Sequence, residues 1–442
     1  MNHYALKILI MALYTGLACT GCVSTRLRVD GIRLERYIQQ TETAGKYFIG
    51  FVLTDPESGK TLIDYQGDRF FTPASNTKLV TLYASKKILG DSIPSIAAGI
   101  RNDTLFFTGL GDPTFLHPEF TKQPSFDYLA GIDLPLVYVP GVFHNNRFGP
   151  GWAWDDYPYY FSAERSGFPV FGNVIRINRP PGSMEFEIVP WTLGQNLEIS
   201  RDTLSGHKPG TIEAGREEYS NRFRLSYTEP VDSIAEVIPF ISDDRLICEL
   251  LGDTLNREVL LGEKFPDVWK DIIYSQPVDS LLRPMMVESD NFFAEQLLLL
   301  CALVISDSLD AEKTIRFAET NYFSELTDGM YWVDGSGLSR YNQFTPQALT
   351  GILRMLYLEY GKEFIRGIFP EGGISGTMKK NFPGFIFAKT GSMSHVYNLS
   401  GYVLTRKGKW LIFSFMNNNF TVSSSEVRKE MARILLAVRD NL

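Results

Sequence analysis

Alternation and helical spacing divide the chain into four stretches. From Tyr47 the runs "YFIGFVLTD" and "KTLIDY" flank the turn "PESG", where Pro56 and Gly59 favour chain reversal, and this predicts a β-hairpin. "FFTPASNTKLVTLYASKKILG" follows almost directly. Its Leu79, Leu82, Tyr83, Ala84 and Ile88 recur at helical spacing, Pro73 suits a start and Gly90 a stop, so a helix is predicted. From about Asp91 to Gly262 the pattern changes to short alternating runs such as "NVIRIN" and "MEFEIV", among many Pro, Gly, Tyr and Trp residues. That stretch reads as a β-rich module with many turns. Long apolar helices return in "QPVDSLLRPMMVESDNFFAEQLLLLCALVIS" and "TPQALTGILRMLYLEYG". The chain closes with the strands "GFIFAKTGSM", "VYNLSGYVLT" and "WLIFSFMNN" and an amphipathic helix carrying Val427, Met431, Ile434, Leu435 and Val438 on one face.

The order predicts an α+β architecture. The N-terminal hairpin joins the C-terminal strands in one antiparallel sheet flanked by helices. The expected domains are a catalytic core of residues 23–95 and 262–442 and a β-rich module of residues 96–261 inserted into it.

The first residues, "MNHYALKILIMALYTGLACTGCVS", stand outside this scheme. Lys7, an apolar run from Ile8 to Leu17 and the small residues that follow have the shape of an export signal over residues 1–22. Gly21-Cys22 resembles a bacterial lipoprotein processing site, although Cys19 stands where leucine is usual. The expectation is a periplasmic protein tethered to a membrane through a lipid on Cys22.

At 442 residues, with 44% hydrophobic and 21% charged side chains, the composition is globular, and a net charge of −8 argues against a nucleic-acid partner. The five histidines form no ligand-spaced pair, so a metal-dependent hydrolase is not indicated and no cofactor is expected. Besides Cys19 and Cys22 there are Cys248 and Cys301, which an exported protein can either pair or bury as free thiols.

Candidate chemistry starts at Ser75 and Lys78. A serine hydroxyl needs a base, residues three apart share a helix face, and a lysine serves as base once burial and nearby positive charge keep it neutral. Alone the pattern is cheap, because Ser205 begins a second one, "SGHK", in a polar loop-like stretch. "SDN" (Ser289, Asp290, Asn291) and "KTG" (Lys389, Thr390, Gly391) are each equally readable as a helix N-cap and a strand end. In the order Ser-x-x-Lys, Ser-Asp-Asn, Lys-Thr-Gly they form a specific signature of serine acyl transfer. Ser75 is then the nucleophile and Lys78 its proton acceptor. Ser289 relays the proton toward a leaving amine, and Asn291 holds the substrate amide. Lys389 and Thr390 suit a substrate carboxylate, and Gly391 permits close approach of a peptide laid along the strand. The N–H groups of Ser75 and Ser392 form the oxyanion hole.

The chain resembles the low-molecular-mass class C penicillin-binding proteins, the serine D-Ala-D-Ala carboxypeptidase/endopeptidase family. Besides the triplet, "PASNTKLVT", "GLGDPTF", "RFGPGWAWDD", "SDNFFAEQLL", "DGSGLSRYNQFTP" and "GGISGTM" carry the likeness. Ser75 and Ser289 are also much further apart than the corresponding residues of class A β-lactamases. The resemblance implies a penicillin-binding (transpeptidase-like) fold, peptidoglycan stem peptides as substrate and β-lactams as covalent inhibitors. It also implies that Asp156 and Arg340 line a pocket for the diamino acid side chain. His395 and Tyr397 depart from the family's smaller residues. A β-lactamase or esterase on the same scaffold, or a non-hydrolytic penicillin-binding sensor, are the alternatives.

Overall fold

The computed structural model describes residues 31–141, 143, 145–201, 206–263 and 271–442. Cys22 with the leader, and Ser205 of the second Ser-x-x-Lys, lie outside the described residues.

The hairpin forms as the two runs and their turn predict, with strands Phe48–Thr54 and Thr61–Tyr65. Asp55 closes its turn, accepting the N–H of Gly59 on its carbonyl and that of Glu57 on its side chain. The two ends of the chain meet in one sheet, because Phe48–Thr54 pairs antiparallel with the late strand Trp410–Asn418, Phe51 opposite Phe415. The order across the sheet is Ile386–Met393, Val396–Leu404, Trp410–Asn418, Phe48–Thr54, Thr61–Tyr65, with every pairing antiparallel.

Both faces of this sheet are covered. Ile49, Phe51, Leu53, Phe413 and Phe415 pack with Leu34 and Ile38 of the helix Gly31–Gly45 and with Met431, Ile434 and Leu435 of the helix Ser424–Asn441. Alternate residues Phe387, Tyr402, Trp410, Ile412 and Met416 face the other way, onto the helices Lys78–Ile88, Asn291–Ser306 and Pro346–Ile368. The period-two alternation therefore turns Lys389, two residues beyond Phe387, toward the helix that follows Ser75.

The Pro/Gly/aromatic-rich stretch has its own core, including Ile96, Phe107, Phe168, Ile175, Leu225, Phe240 and Leu251. Its largest sheet has the order 259–261, 136–138, 104–109, 92–101, 271–277, and two three-stranded sheets accompany it. Asp271 pairs with Ala98, so strands from the two ends of the stretch lie side by side at its base. Cys248 lies in the module and Cys301 in the core, both as buried free thiols. The Cys301 thiol donates to Ser85 Oγ at 3.8 Å.

Candidate active site

Ser75 sits in a tight 3-10 turn, Ala74–Thr77, that runs directly into the helix Lys78–Ile88. Side chains three apart eclipse one another in such a turn, which brings Lys78 Nζ to 3.0 Å from Ser75 Oγ. Ala74, just before Ser75, has φ 48°, and Ser289 has φ 64°. Non-glycine residues in this region cost stability and concentrate at functional sites.

Lys78 is fully buried and all of its donors are engaged. Besides Ser75 it donates to Asn291 Oδ1 at 2.6 Å and to the Ser336 carbonyl at 2.7 Å. Burial pulls its pKa down to about 8, while the carboxylates of Asp334, Asp290 and Glu295 oppose that pull. Lys389 is equally buried and donates to Ser289 Oγ at 2.8 Å and to the Thr390 carbonyl at 3.0 Å. Burial and then the charge of Lys78 push its pKa well below the ordinary lysine value, with Glu288 opposing. The charge of Lys78 thus favours the neutral form of Lys389.

The strand Ile386–Met393 is at the sheet edge. Its first half is covered: Gly372 N–H donates to the Ile386 carbonyl, and Ala388 N–H to the Pro370 carbonyl. By alternation the backbone groups of Thr390 and Ser392 point the same way, off the sheet, and Ser392 is exposed. The Thr390 hydroxyl lies 2.8 Å from that of Thr377. Gly391 has a different task from the one its sequence position suggests. A Cβ there would come within 2.4 Å of the Pro73 carbonyl, so the missing side chain lets the strand pack against the turn that carries Ser75. Asn76 fastens the same junction, donating to the Lys389 carbonyl at 2.9 Å and accepting from Ser400 at 2.7 Å.

Asp290 caps the helix Asn291–Ser306 by accepting from Phe293 N–H at 2.8 Å, leaving Ser289 and Asn291 to face the site. Asn291 Nδ2 donates to the carbonyl of Phe161, which the module contributes, at 2.9 Å.

Three groups here escape motif reading. Ser336 gives Lys78 its carbonyl acceptor, and its own N–H donates to Glu295 Oε1 at 2.8 Å. Asp334 accepts from Gly337 N–H at 2.8 Å, Ser339 N–H at 2.6 Å, Asn342 Nδ2 at 2.8 Å and Trp152 Nε1 at 2.9 Å. Burial and the neighbouring Asp334 push the Glu295 carboxyl up, with Arg165 at 3.6 Å opposing. An acid inside the largely apolar run "FFAEQLLLL", one turn after Asn291, is the signal that could have marked Glu295.

These groups open onto a cavity of about 580 Å³. Asp156 and Arg340 both line it, along with Ser75, Ser289, Asn291 and Ser392. Burial and Asp155 raise the Asp156 pKa, and Arg340 lowers it. Tyr397 instead packs into the core on the far face of the sheet, and His395 occupies a turn with φ 64°, its Nδ1 2.8 Å from the Phe420 carbonyl. Neither departure from the family pattern lines the cavity. Among the described residues no group of three or more His, Cys, Asp or Glu is placed to hold a metal ion.

Comparison with known proteins gives consistent matches. The D-Ala-D-Ala carboxypeptidase 3 (S13) family matches residues 31–205 and 256–438. D-alanyl-D-alanine carboxypeptidase DacB of Haemophilus influenzae is 24% identical over 447 residues, covering 88% of each chain. A D-alanyl-D-alanine carboxypeptidase of Actinomadura sp. is 25% identical over 423 residues, covering 84% of this chain and 77% of that protein. Among solved structures, penicillin binding protein 4 of Haemophilus influenzae superposes with a TM-score of 0.71 at 21% identity, covering 91% of this chain and 98% of that one. The same protein complexed with a β-lactam gives 0.65 at 18% identity, covering 91% and 97%. At these identities the structural likeness is one of fold.

Proposed function

The chain belongs to the D-Ala-D-Ala carboxypeptidase 3 (S13) family, and from that premise we propose that it is a serine D,D-peptidase of peptidoglycan, inhibited covalently by β-lactams. The observation that carries the reading is a fully buried lysine, its pKa held down to about 8, with Nζ 3.0 Å from the hydroxyl of Ser75.

The geometry supports the following steps. Neutral Lys78 takes the proton of Ser75 Oγ as that oxygen attacks the carbonyl carbon of a penultimate D-Ala. The oxyanion forms between the N–H groups of Ser75 and Ser392, the latter on the open strand edge. The C–N bond breaks, and the proton reaches the leaving amine through Ser289, whose hydroxyl lies beside Lys389. The leaving group's carboxylate meets Lys389 and the hydroxyls of Thr390 and Thr377, and its charge restores that of Lys389. Asn291 holds the substrate amide, and the peptide lies beside Gly391 as an added strand. Water then hydrolyses the ester on Ser75. The leaving amine is either terminal D-Ala or the other arm of a D-amino-acid cross-link, and Asp156 and Arg340 receive the diamino acid side chain.

We read the module as an insertion spanning 92–277, wider than 96–261, because its end strands pair with each other. Export to the periplasm and lipidation at Cys22 complete the reading, on the support of the leader sequence. No described helix is long and apolar enough to cross a membrane.

Incubation with purified muropeptides, followed by mass spectrometry, tests the reaction. Free D-Ala from pentapeptides or monomers from cross-linked dimers supports it, and neither product sinks it. Ser75→Ala removes both products and penicillin labelling, whereas Ser205→Ala changes neither. A chromogenic cephalosporin is held as a long-lived acyl-enzyme, and rapid turnover would instead identify a β-lactamase.

A further inference from the structure

The cavity is roomier than the reaction requires. Part of it surrounds Ser75, and part is lined by Asp156 and Arg340. A third part is lined by His117, Glu119, Gly172, Arg176 and Glu288, and the steps above give it no task.

Arg176 is its centre. Its Nη1 donates to the Phe171 carbonyl at 2.8 Å and its Nη2 to His117 Nε2 at 3.1 Å. Burial and the charge of Arg176 hold the His117 pKa down to about 3, so the ring is neutral and its Nε2 accepts from the guanidinium. The carboxylates of Glu119 and Asp290 act on Arg176, yet among the described residues neither forms an ion pair with it. The backbone that presents Phe171 is unusual: Phe171, Gly172 and Asn173 have φ 57°, 71° and 55° in succession. Asn173 holds that turn by donating to the Glu164 carbonyl at 2.8 Å and to Ser166 Oγ at 2.9 Å. A Cβ on Gly172 would lie 2.8 Å from the His117 ring, so the turn hugs the pair.

The cavity lining also locates this compartment. Glu288, which lines it with Glu119 and Arg176, directly precedes Ser289, whose hydroxyl accepts from Lys389 at 2.8 Å. The compartment therefore lies on the Ser289–Lys389 side, where the mechanism places the leaving amine. A departing D-Ala ends at its own carboxylate, already matched to Lys389 and Thr390, and has nothing left for Arg176. A departing peptide arm continues beyond that point.

We propose that Arg176, braced by His117 and the Phe171 carbonyl, is a subsite for a carboxylate on the departing arm of a peptidoglycan cross-link. The exposed Glu119 and Glu288 on its rim suit an ammonium group of the same arm. The proposal rests on the D,D-peptidase reading and adds to it a preference for cross-links.

The test measures three rates for the full chain, Arg176→Ala and Arg176→Lys. They are cleavage of a purified cross-linked muropeptide dimer, D-Ala release from the monomeric pentapeptide, and labelling by a fluorescent penicillin. For Arg176→Ala we expect KM for the dimer to rise about tenfold with kcat little changed, as one charge-assisted contact is lost. Pentapeptide cleavage and labelling stay within about twofold of the parent, and Arg176→Lys recovers part of the dimer KM. Equal loss on both substrates, no loss on the dimer, or a parent enzyme that cleaves only pentapeptide overturns the subsite. A parent that labels but cleaves neither substrate overturns the D,D-peptidase reading, and the subsite falls with it.

Discussion

On the core side of the cavity, Asn76, Lys78, Glu295, Asp334 and Lys389 are at most 1% exposed and are linked to the site through hydrogen bonds. On the module side, Trp154 is 78% and Tyr160 68% exposed, and Asp156 feels the charge of Arg340 without an ion pair among the described residues. The core wall is locked before substrate arrives, which is what stabilising a developing oxyanion requires, since fixed dipoles need no reorganisation as charge forms. Around Asp156 the module wall leaves polar and aromatic groups in solvent, where a ligand can select among them. The ties that join the walls include Asn291 to the Phe161 carbonyl, Trp152 to Asp334 and Arg165 to Glu295.

If the contrast holds, substitutions on the core side damage the chemistry for every substrate, and those on the module side discriminate between substrates. The largest expected effect is Lys78→Met, which removes the base and lowers the penicillin acylation rate by roughly 10²–10⁴-fold. Stopped-flow labelling at saturating penicillin would show it, and near-normal acylation would mean that another group takes the proton.

Asp334→Asn comes next. It removes one carboxylate that raises the Lys78 pKa, so that pKa falls further below about 8. Because the base acts when neutral, acylation rises with pH through this pKa, and the acidic limb of the profile moves to lower pH. The disturbed network should also cost roughly 1–3 kcal/mol of stability. A stability loss with an unmoved pH profile would make Asp334 purely architectural.

The smallest effect belongs to the module side. Asp156→Asn should raise KM about 2–5-fold for substrates with a free side-chain amine, the scale of an exposed charge pair. It should leave penicillin acylation unchanged, and a fall in acylation would erase the distinction between the walls.

The parts of the candidate site that the sequence discloses are motif side chains. Ser75, Lys78, Ser289, Asn291 and Lys389 were legible because three short motifs carry them, and the structure links Lys78 with Ser75 and Asn291, and Lys389 with Ser289. The sheet was legible because apolar runs such as "FVLT" and "IFSF" are of strand length and bounded by turn residues. Ser336 and Phe161 were not, because they contribute backbone carbonyls, which every residue possesses. His117 and Arg176 meet only through the fold, with no spacing rule to announce them. Gly391 shows a third case, in which the right residue was singled out for approach to a peptide while its missing side chain serves the approach of Pro73.

The half-covered edge strand sets a length. With Ile386 and Ala388 already bonded to residues 370–372, the open stretch from Thr390 to Met393 is about 10 Å long at roughly 3.3 Å per residue. An uncovered strand edge invites other chains to pair with it, but so short a gap cannot register a full foreign strand. It has room for the last two or three residues of an extended peptide, or for a small rigid bicycle that imitates them. The same truncation that guards the molecule against sticking to its own copies thus limits it to chain ends and branch points, and leaves it open to β-lactams.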